Sequence, residues 1–196
     1  MTMSQEISAG DLQPIRLLLR ADLLRQHALL NGSDATKPRG ARLWLGMVSP
    51  RFVPVLLCRV AHSLHRSGLG PLAKLVSLAN FFAFGIEIAV RCPIGPGLFL
   101  PHTQGTVIGA WRIGANATIF QGVTLGAKEV DFTYTQLSRP SLGDGVTVGA
   151  GAKVLGGLTL GEGVRIGANS VVLSDIPDHA LAVGAPARVI RTGGEA

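Results

Sequence analysis

Residues 142–172 read LGDGVT VGAGAK VLGGLT LGEGVR IGANSV V. An aliphatic anchor stands at every sixth position of this stretch: Leu142, Val148, Val154, Leu160, Ile166 and Val172. A repeat of six fits neither an α-helix, with its period of about 3.6, nor an alternating strand, with its period of about 2. It is typical of hexapeptide repeats, in which three hexads form one coil of about eighteen residues with a strand on each of three sides. The stretch therefore predicts a β-helix whose anchors point inward.

The same spacing begins earlier in the chain and is interrupted twice. The earlier anchors, with one extra residue after the third, are Ile88, Ile94, Leu100, Val107, Ile113, Ile119 and Leu125. After Gly126 the repeat is lost, and it resumes at Leu142. An insertion in a coil must leave at a corner, so residues 127–141 (AKEVDFTYTQLSRPS) are expected to form a projecting loop, and such loops often carry function.

The N-terminal half lacks the repeat and has helical periodicity instead. Helices are predicted over residues 11–30, 51–66 and 72–84, each ended by turn-forming residues. The third is mostly apolar, so we expect it to pack against another chain or the end of the β-helix. We therefore divide the chain into a helical region, 1–85, for capping or oligomerisation, and a β-helix domain, 86–196.

Composition excludes several classes of protein. The net charge is +6, and the eighteen basic residues are scattered, which favours an anionic small molecule over nucleic acid. The longest apolar run, residues 75–90, is too short and too polar to span a membrane, although contact with a bilayer surface stays open. Two cysteines without a CxxC pattern and a polar start indicate a reduced, cytoplasmic protein.

His102 is the first candidate for chemistry. It stands two residues after the anchor Leu100, so its side chain is not expected in the core, and histidine can act as a general base near neutral pH. Gln121 stands at the same place relative to Ile119, one coil later, so the two side chains are expected to be neighbours. A packing or surface role is the alternative for a single histidine.

Two further residues are candidates beside it. Glu87, just before the anchor Ile88, could accept a hydrogen bond from an imidazole, or could be an ordinary solvated carboxylate. Arg139 in the projecting loop could bind an anionic part of a ligand, or could be an exposed surface arginine. His62 and His65 are three residues apart but have no evident further ligands, so no metal site is predicted.

Four segments resemble the hexapeptide-repeat acyltransferases, and among them the serine O-acetyltransferase type. They are IGPGLFLPHTQGTVIG (94–109), QGVTLG (121–126), VGAGAKVLGGLTLGEGVRIGANSVVL (148–173) and VGAPARVI (183–190). The resemblance implies a left-handed parallel β-helix behind an α-helical N-terminal region. It also implies a homotrimer, which in this family is often paired into a hexamer through the N-terminal helices, and acetyl-CoA as co-substrate without a metal.

The resemblance also assigns roles. His102 matches the catalytic histidine that deprotonates the acceptor hydroxyl, and Glu87 stands where the family has an aspartate that orients it. For the cofactor it implies close approach of an extended arm to backbone groups, and the matching positions are Gly126, Ala127, Ala150, Gly151, Ala168 and Arg188. Small residues suit such an approach because they leave backbone N–H and C=O groups accessible.

The departures from the family concern the acceptor. Pro101 replaces an aspartate that holds the amino group of serine, and Arg139 replaces a histidine in the loop. Asp34 is a loose match to another amine-binding aspartate. We therefore predict O-acetylation of a saccharide or other small hydroxyl metabolite, with true serine O-acetyltransferase activity as the alternative. A non-catalytic β-helix scaffold is the alternative from another class.

Overall fold

A computed structural model describes residues 13–32, 40–131 and 133–193. The chain begins with helices α1 (Ile15–Asn31), α2 (Ala41–Leu45), α3 (Val53–Arg66) and α4 (Gly70–Phe84), with a short 3₁₀ turn at Gly46–Val48. Proline near the start of α3 and of α4 suits a helix N-terminus, where its missing N–H has no intrahelical partner. None of the helices in the described part of the chain is long and apolar enough to cross a membrane.

Short strands follow from residue 86 onward. They are β1 (Ile86–Ile88), β2 (Thr106–Ile108), β3 (Arg112–Ile113), β4 (Thr118–Ile119), β5 (Thr124–Gly126), β6 (Ser141–Leu142), β7 (Thr147–Val148), β8 (Lys153–Leu155), β9 (Thr159–Leu160), β10 (Arg165–Ile166), β11 (Val171–Val172), β12 (Leu181–Gly184) and β13 (Ala187–Arg191). From β2 to β11 the chain visits three sheets in turn, so that every third strand pairs in parallel with the one before it. This is a three-sided coil, as the period of six predicts. Strand β13 turns back antiparallel to β12 and ends the third sheet.

The anchors of the repeat form the core of the coil. Those from Leu142 to Val172 are all 3% exposed or less. One earlier prediction is wrong, because Val107 faces outward with 37% exposure while Ile108 is fully buried. The ladder pairs Ile108 with Ile88 on one side and with Leu125 on the other. The first sheet therefore continues through Ile108, and the irregularity before it is larger than the one extra residue inferred from spacing.

A buried ion pair fastens the helical region to the first coil. Arg59 of α3 donates from Nε to Oδ2 of Asp22 on α1 at 2.9 Å, with both side chains almost fully buried. Asp22 Oδ1 also accepts hydrogen bonds from the backbone N–H groups of Gly97 and Leu98, at 2.7 and 2.9 Å. Arg25 adds a bond to Thr118. The helices thus cover the otherwise open end of the core.

Candidate active site

His102 lies in a corner of the coil that is two residues longer than the corresponding corner of the next coil. Before the corner, Phe99 bridges to Thr118, nineteen residues on, whereas after it Ile108 pairs with Leu125, seventeen residues on. The chain must therefore place two additional residues outside the regular coil. His102 falls in this enlargement and its side chain is exposed. A histidine held out of the core in this way is open to a substrate.

The C-terminal end of α4 is hydrogen-bonded to this corner. The Thr103 hydroxyl donates to the carbonyl of Phe84 at 2.8 Å, and the N–H of Gly105 donates to the carbonyl of Gly85 at 2.9 Å. Gly85 ends α4 in the left-handed conformation, with φ of 63°, and a Cβ there would lie 2.3 Å from the side chain of Gln104. The left-handed backbone therefore favours glycine where the helix meets the corner.

Glu87 lies at the same edge of the coil as His102. It is the exposed central residue of β1 and pairs in register with Val107, just after the corner. Among the hydrogen bonds found within the described residues, none joins Glu87 to His102. The structure thus places Glu87 on the strand next to the His102 corner, without a hydrogen bond between the two side chains.

Gln121 lies at the same corner, one coil further along. The backbone ladder runs from Gly122 N–H to the carbonyl of Gln104 and from Gly151 N–H to the carbonyl of Gln121. Gln104 therefore stands over Gln121, so the prediction that His102 occupies this equivalent place is wrong, and the two extra residues are the reason. The side-chain oxygen of Gln121 is buried and has no hydrogen-bond partner among the described residues. Such an acceptor is costly to leave unpaired, so it suits a ligand donor.

Arg139 fastens the projecting loop, residues 127–141, to the coil. Its Nε donates to Asp131 Oδ2 at 3.0 Å and its Nη1 to the carbonyl of Gly109 at 2.9 Å. The guanidinium also lies over the ring of Tyr134, 4.2 Å from its centroid, and the Tyr134 hydroxyl donates to the carbonyl of Ala110 at 2.6 Å. These contacts give Arg139 a loop-anchoring role beside its predicted role in binding an anion.

Asp131 and Tyr134 are the residues of this loop that sequence reasoning did not single out. Asp131 accepts from Thr133, Ser138 and Arg139, and these hydrogen bonds, first of all that of the Thr133 side chain, hold its pKa far below the ordinary value. Burial raises the pKa of Tyr134. An acid, an aromatic residue and an arginine within one insertion were the available signal for such a cluster.

Except for Arg188, the predicted cofactor positions lie at the two ends of the strands of the first sheet, which contains β1, β2, β5, β8 and β11. Ala150, Gly151 and Ala168 lie at the corner before it, where the N–H of Asn169 donates to the carbonyl of Ala150. Gly126 is the last residue of β5, at the opposite end of these strands, and a Cβ added there would have no atom within 4 Å. Ala127 follows it, and Arg188 is exposed on β13. Within one chain, Gly126 and Ala127 therefore lie apart from Ala150, Gly151 and Ala168.

Two other expectations concern residues away from this corner. Asp34 lies outside the described residues. His62 on α3 has its Nδ1 3.0 Å from the carbonyl of Val90. Within the residues that the structure describes, no three histidine, cysteine, aspartate or glutamate side chains are grouped so as to hold a metal ion.

Known proteins similar to this chain point to one family. Residues 139–174 match the family model described as bacterial transferase hexapeptide (six repeats). A serine acetyltransferase from Helicobacter pylori strain J99 is 44% identical over 155 residues, covering 78% of this chain and 89% of that protein. One from Staphylococcus xylosus is 43% identical over 136 residues, covering 69% of this chain and 62% of that protein. The chain thus spans less than two thirds of the length of some curated relatives.

The overall fold also matches solved structures. The soybean serine acetyltransferase apoenzyme superposes with a TM-score of 0.74 at 34% identity, covering 90% of this chain and 69% of the soybean chain. The match includes more of the chain than the repeats alone, because the β strands begin only at residue 86. The helical region therefore takes part in the similarity.

Proposed function

The chain belongs to the serine acetyltransferase family of hexapeptide-repeat transferases, and on that premise we propose that it is an O-acetyltransferase that uses acetyl-CoA. The resemblance inferred from the repeats is thereby confirmed. The observation that carries the proposed activity is the exposed histidine, His102, in an enlarged corner of the coil. With acetyl-CoA as the donor, the cytoplasm is the compartment we propose.

His102 acts in this proposal as the general base. Its imidazole takes the proton of the acceptor hydroxyl while the oxygen attacks the thioester carbonyl. The C–S bond then breaks, and the departing CoA thiolate receives the proton. Glu87 orients the imidazole, which requires a side-chain movement because the two groups are not bonded in this structure. Backbone N–H groups stabilise the oxyanion between these steps.

The acetyl-CoA site lies in a groove between subunits in this proposal. Apart from Arg188 on β13, its predicted residues lie at opposite ends of the strands of the first sheet, which is the arrangement expected if each subunit contributes one wall. A serine acetyltransferase of similar fold is described in complex with CoA. We accordingly propose a left-handed coil and a homotrimer, with the helices as the surface through which two trimers would pair.

L-Serine is the acceptor best supported by the relatives, ahead of the saccharide or other hydroxyl metabolite predicted from sequence. The relatives are named serine acetyltransferases, and one, from Neisseria gonorrhoeae, is described in complex with serine. Pro101 and Arg139 favour a different acceptor, because the first has no charge for an ammonium group and the second is already bound to Asp131. Both acceptors therefore enter the test.

CoA release from acetyl-CoA tests the proposal. The full chain is assayed with L-serine and with a panel of sugars and hydroxy acids, beside His102→Ala and a control, His179→Ala, whose histidine is also exposed but lies away from the corner. Turnover lost in His102→Ala by about 10²-fold or more and kept in the control supports the proposal. Equal turnover by all three proteins, or no turnover with any acceptor, contradicts it.

A further inference from the structure

Lys153 is a cation on the outer face of the first sheet. It is the first residue of β8, and its backbone pairs in register with Thr124 on one side and with Val171 on the other. The residue after it points into the core, so the alternation of a strand directs Lys153 outward. Thr124 pairs in turn with Val107, and Val107 with Glu87. Among these five outward residues, Lys153 carries the positive charge.

The ammonium group of Lys153 lies at the corner that contains Gln121. Its Nζ donates to the carbonyl of Gly122 at 2.5 Å, and the side chain is half-buried. Gly122 lies one coil after the corner of His102, because its N–H donates to the carbonyl of Gln104 at 3.0 Å. The ammonium is therefore no more than two coils from the His102 corner, which at the spacing of neighbouring strands is about 10 Å along the axis.

This corner has one donor and one acceptor with unused bonding capacity. The ammonium has three N–H groups, of which one bonds to Gly122, and no carboxylate of the described residues forms an ion pair with it. The side-chain oxygen of Gln121 is buried without a partner among the same residues. A ligand that suits the corner presents an acceptor and a donor. The thioester end of acetyl-CoA does so, with its carbonyl oxygen and the nearest amide N–H of the pantetheine arm.

We propose that Lys153 is a further catalytic residue, whose ammonium binds the carbonyl oxygen of the acetyl thioester and stabilises the oxyanion that forms from it. This inference rests on the proposed acetyl transfer. As the acceptor oxygen attacks the carbonyl carbon, the π electron pair moves onto the carbonyl oxygen, beside Nζ. The pair returns when the C–S bond breaks, and the thiolate takes the proton that His102 removed from the acceptor. Lys153 keeps its own proton and acts, beside the backbone N–H groups, through its charge and hydrogen bond.

The distance along the coil fits the thioester better than the phosphates of CoA. An acceptor oxygen bonded to the imidazole, the carbonyl group that it attacks and a bond from the ammonium together span about 10 Å, since each hydrogen bond takes up nearly a third of that length. This equals the separation of Lys153 from the His102 corner. The long pantetheine arm holds the phosphates well beyond it whenever the thioester is beside His102.

Steady-state kinetics of the full chain, with acetyl-CoA and the acceptor that gives the highest turnover, test this role. Lys153→Met keeps the length of the side chain and removes its charge, whereas Lys153→Arg keeps the charge. Should Lys153→Met fail to fold, Lys153→Gln takes its place. The control is Lys74→Met, whose lysine is exposed on α4, away from the corner. Analytical ultracentrifugation of each protein shows whether the assembly is retained.

The charge on the carbonyl oxygen develops after acetyl-CoA has bound, so its loss of stabilisation should appear in kcat. Lys153→Met should lower kcat by about 10²-fold or more and change the KM for acetyl-CoA by less than about threefold. Lys153→Arg should recover part of this loss, and Lys74→Met should match the wild type.

Three results would overturn the assignment of Lys153 while the proposed acetyl transfer stands. The first is an unchanged kcat in Lys153→Met. The second is a raised KM for the acceptor at unchanged kcat, which would place the ammonium on the acceptor instead. The third is a lowered kcat together with a smaller assembly, which would assign Lys153 to a contact between subunits. Absence of turnover by the wild type with every acceptor is a different result, because it contradicts the proposed function and this inference with it.

Discussion

Arg139 Nε and Asp131 Oδ2 lie 3.0 Å apart and join the two ends of the loop that leaves the coil. The same guanidinium donates to the carbonyl of Gly109, so the ion pair also holds the loop against the body of the coil. Asp131→Asn should loosen the loop and raise the KM for the acceptor, while the free energy of unfolding of the whole protein changes little. Glu129→Gln, an exposed acid in the same loop, is the control. Limited trypsin digestion and steady-state kinetics measure both effects, and equal digestion of all three proteins would contradict the anchor.

The ion pair between Arg139 and Asp131 should also persist in acid. Hydrogen bonds from Thr133 and Ser138 and the pairing with Arg139 hold the pKa of Asp131 far below its ordinary value. For a carboxyl with a lowered pKa, the stabilisation is fully present above the ordinary value, about 3.9, and is lost only as the pH falls through the lowered one. Trypsin cannot be used in acid, so the measurement is pepsin digestion at about pH 3, below the ordinary pKa of an aspartate. The loop should stay protected in the wild type, while early cleavage there would refute the expectation.

The buried pair between α1 and α3 should be required for stability. Arg59→Ala leaves the carboxylate of Asp22 buried without its charged partner, which is expected to cost about 3–5 kcal/mol of unfolding free energy. Arg20→Ala, an exposed arginine on the same helix as Asp22, should change it by less than about 0.5 kcal/mol. Urea unfolding followed by circular dichroism compares the two variants. A loss of similar size in both would mean that the pair does not fasten the helices to the coil.

The long run of repeats was predictable because one physical requirement recurs in it without interruption. Each anchor from Leu142 to Val172 must fill the same narrow core, so the spacing is rigid and visible in the sequence. Near Val107 and Ile108 two adjacent aliphatic residues compete for the inward place. The pairing of Ile108 with Leu125 shows that Ile108 is the anchor, whereas the six-residue spacing predicted Val107.

The site was predictable in its residue types but not in its contacts. The position of His102 outside the core followed from its distance to Leu100, but the size of the corner depends on pairing between coils. The contacts of Arg139 with Asp131 and Tyr134 arise from how the loop folds back, which no periodicity encodes. The pairing of Asp22 with Arg59 joins residues far apart in sequence through a tertiary contact. No local signal identifies such a pair.

Two glycine substitutions separate cofactor binding from folding. Gly126→Ala should leave unfolding unchanged, because the added Cβ meets no atom within 4 Å, but it should raise the acetyl-CoA KM if the arm of the cofactor passes there. Gly151→Ala should lower stability by about 1–2 kcal/mol, because its φ is 73° and the Cβ would lie 2.1 Å from the Asn169 side chain. Thermal unfolding and kinetics on both variants give the answer. An unchanged KM in Gly126→Ala would remove this glycine from the predicted cofactor site.

Pro101→Asp tests why this chain differs from its family at the acceptor site. The substitution puts a carboxylate directly before His102, where it could bind the ammonium group of serine through a charge-assisted hydrogen bond. If serine is a poor acceptor for the wild type because this partner is missing, its kcat/KM should rise by about tenfold. Pro101→Asn, which has the same shape without the charge, should give a much smaller rise, and turnover of an uncharged sugar should not rise in either variant. An equal gain in both variants would point to backbone freedom after the loss of proline as the cause, and no gain in either would mean that another residue already binds the amine.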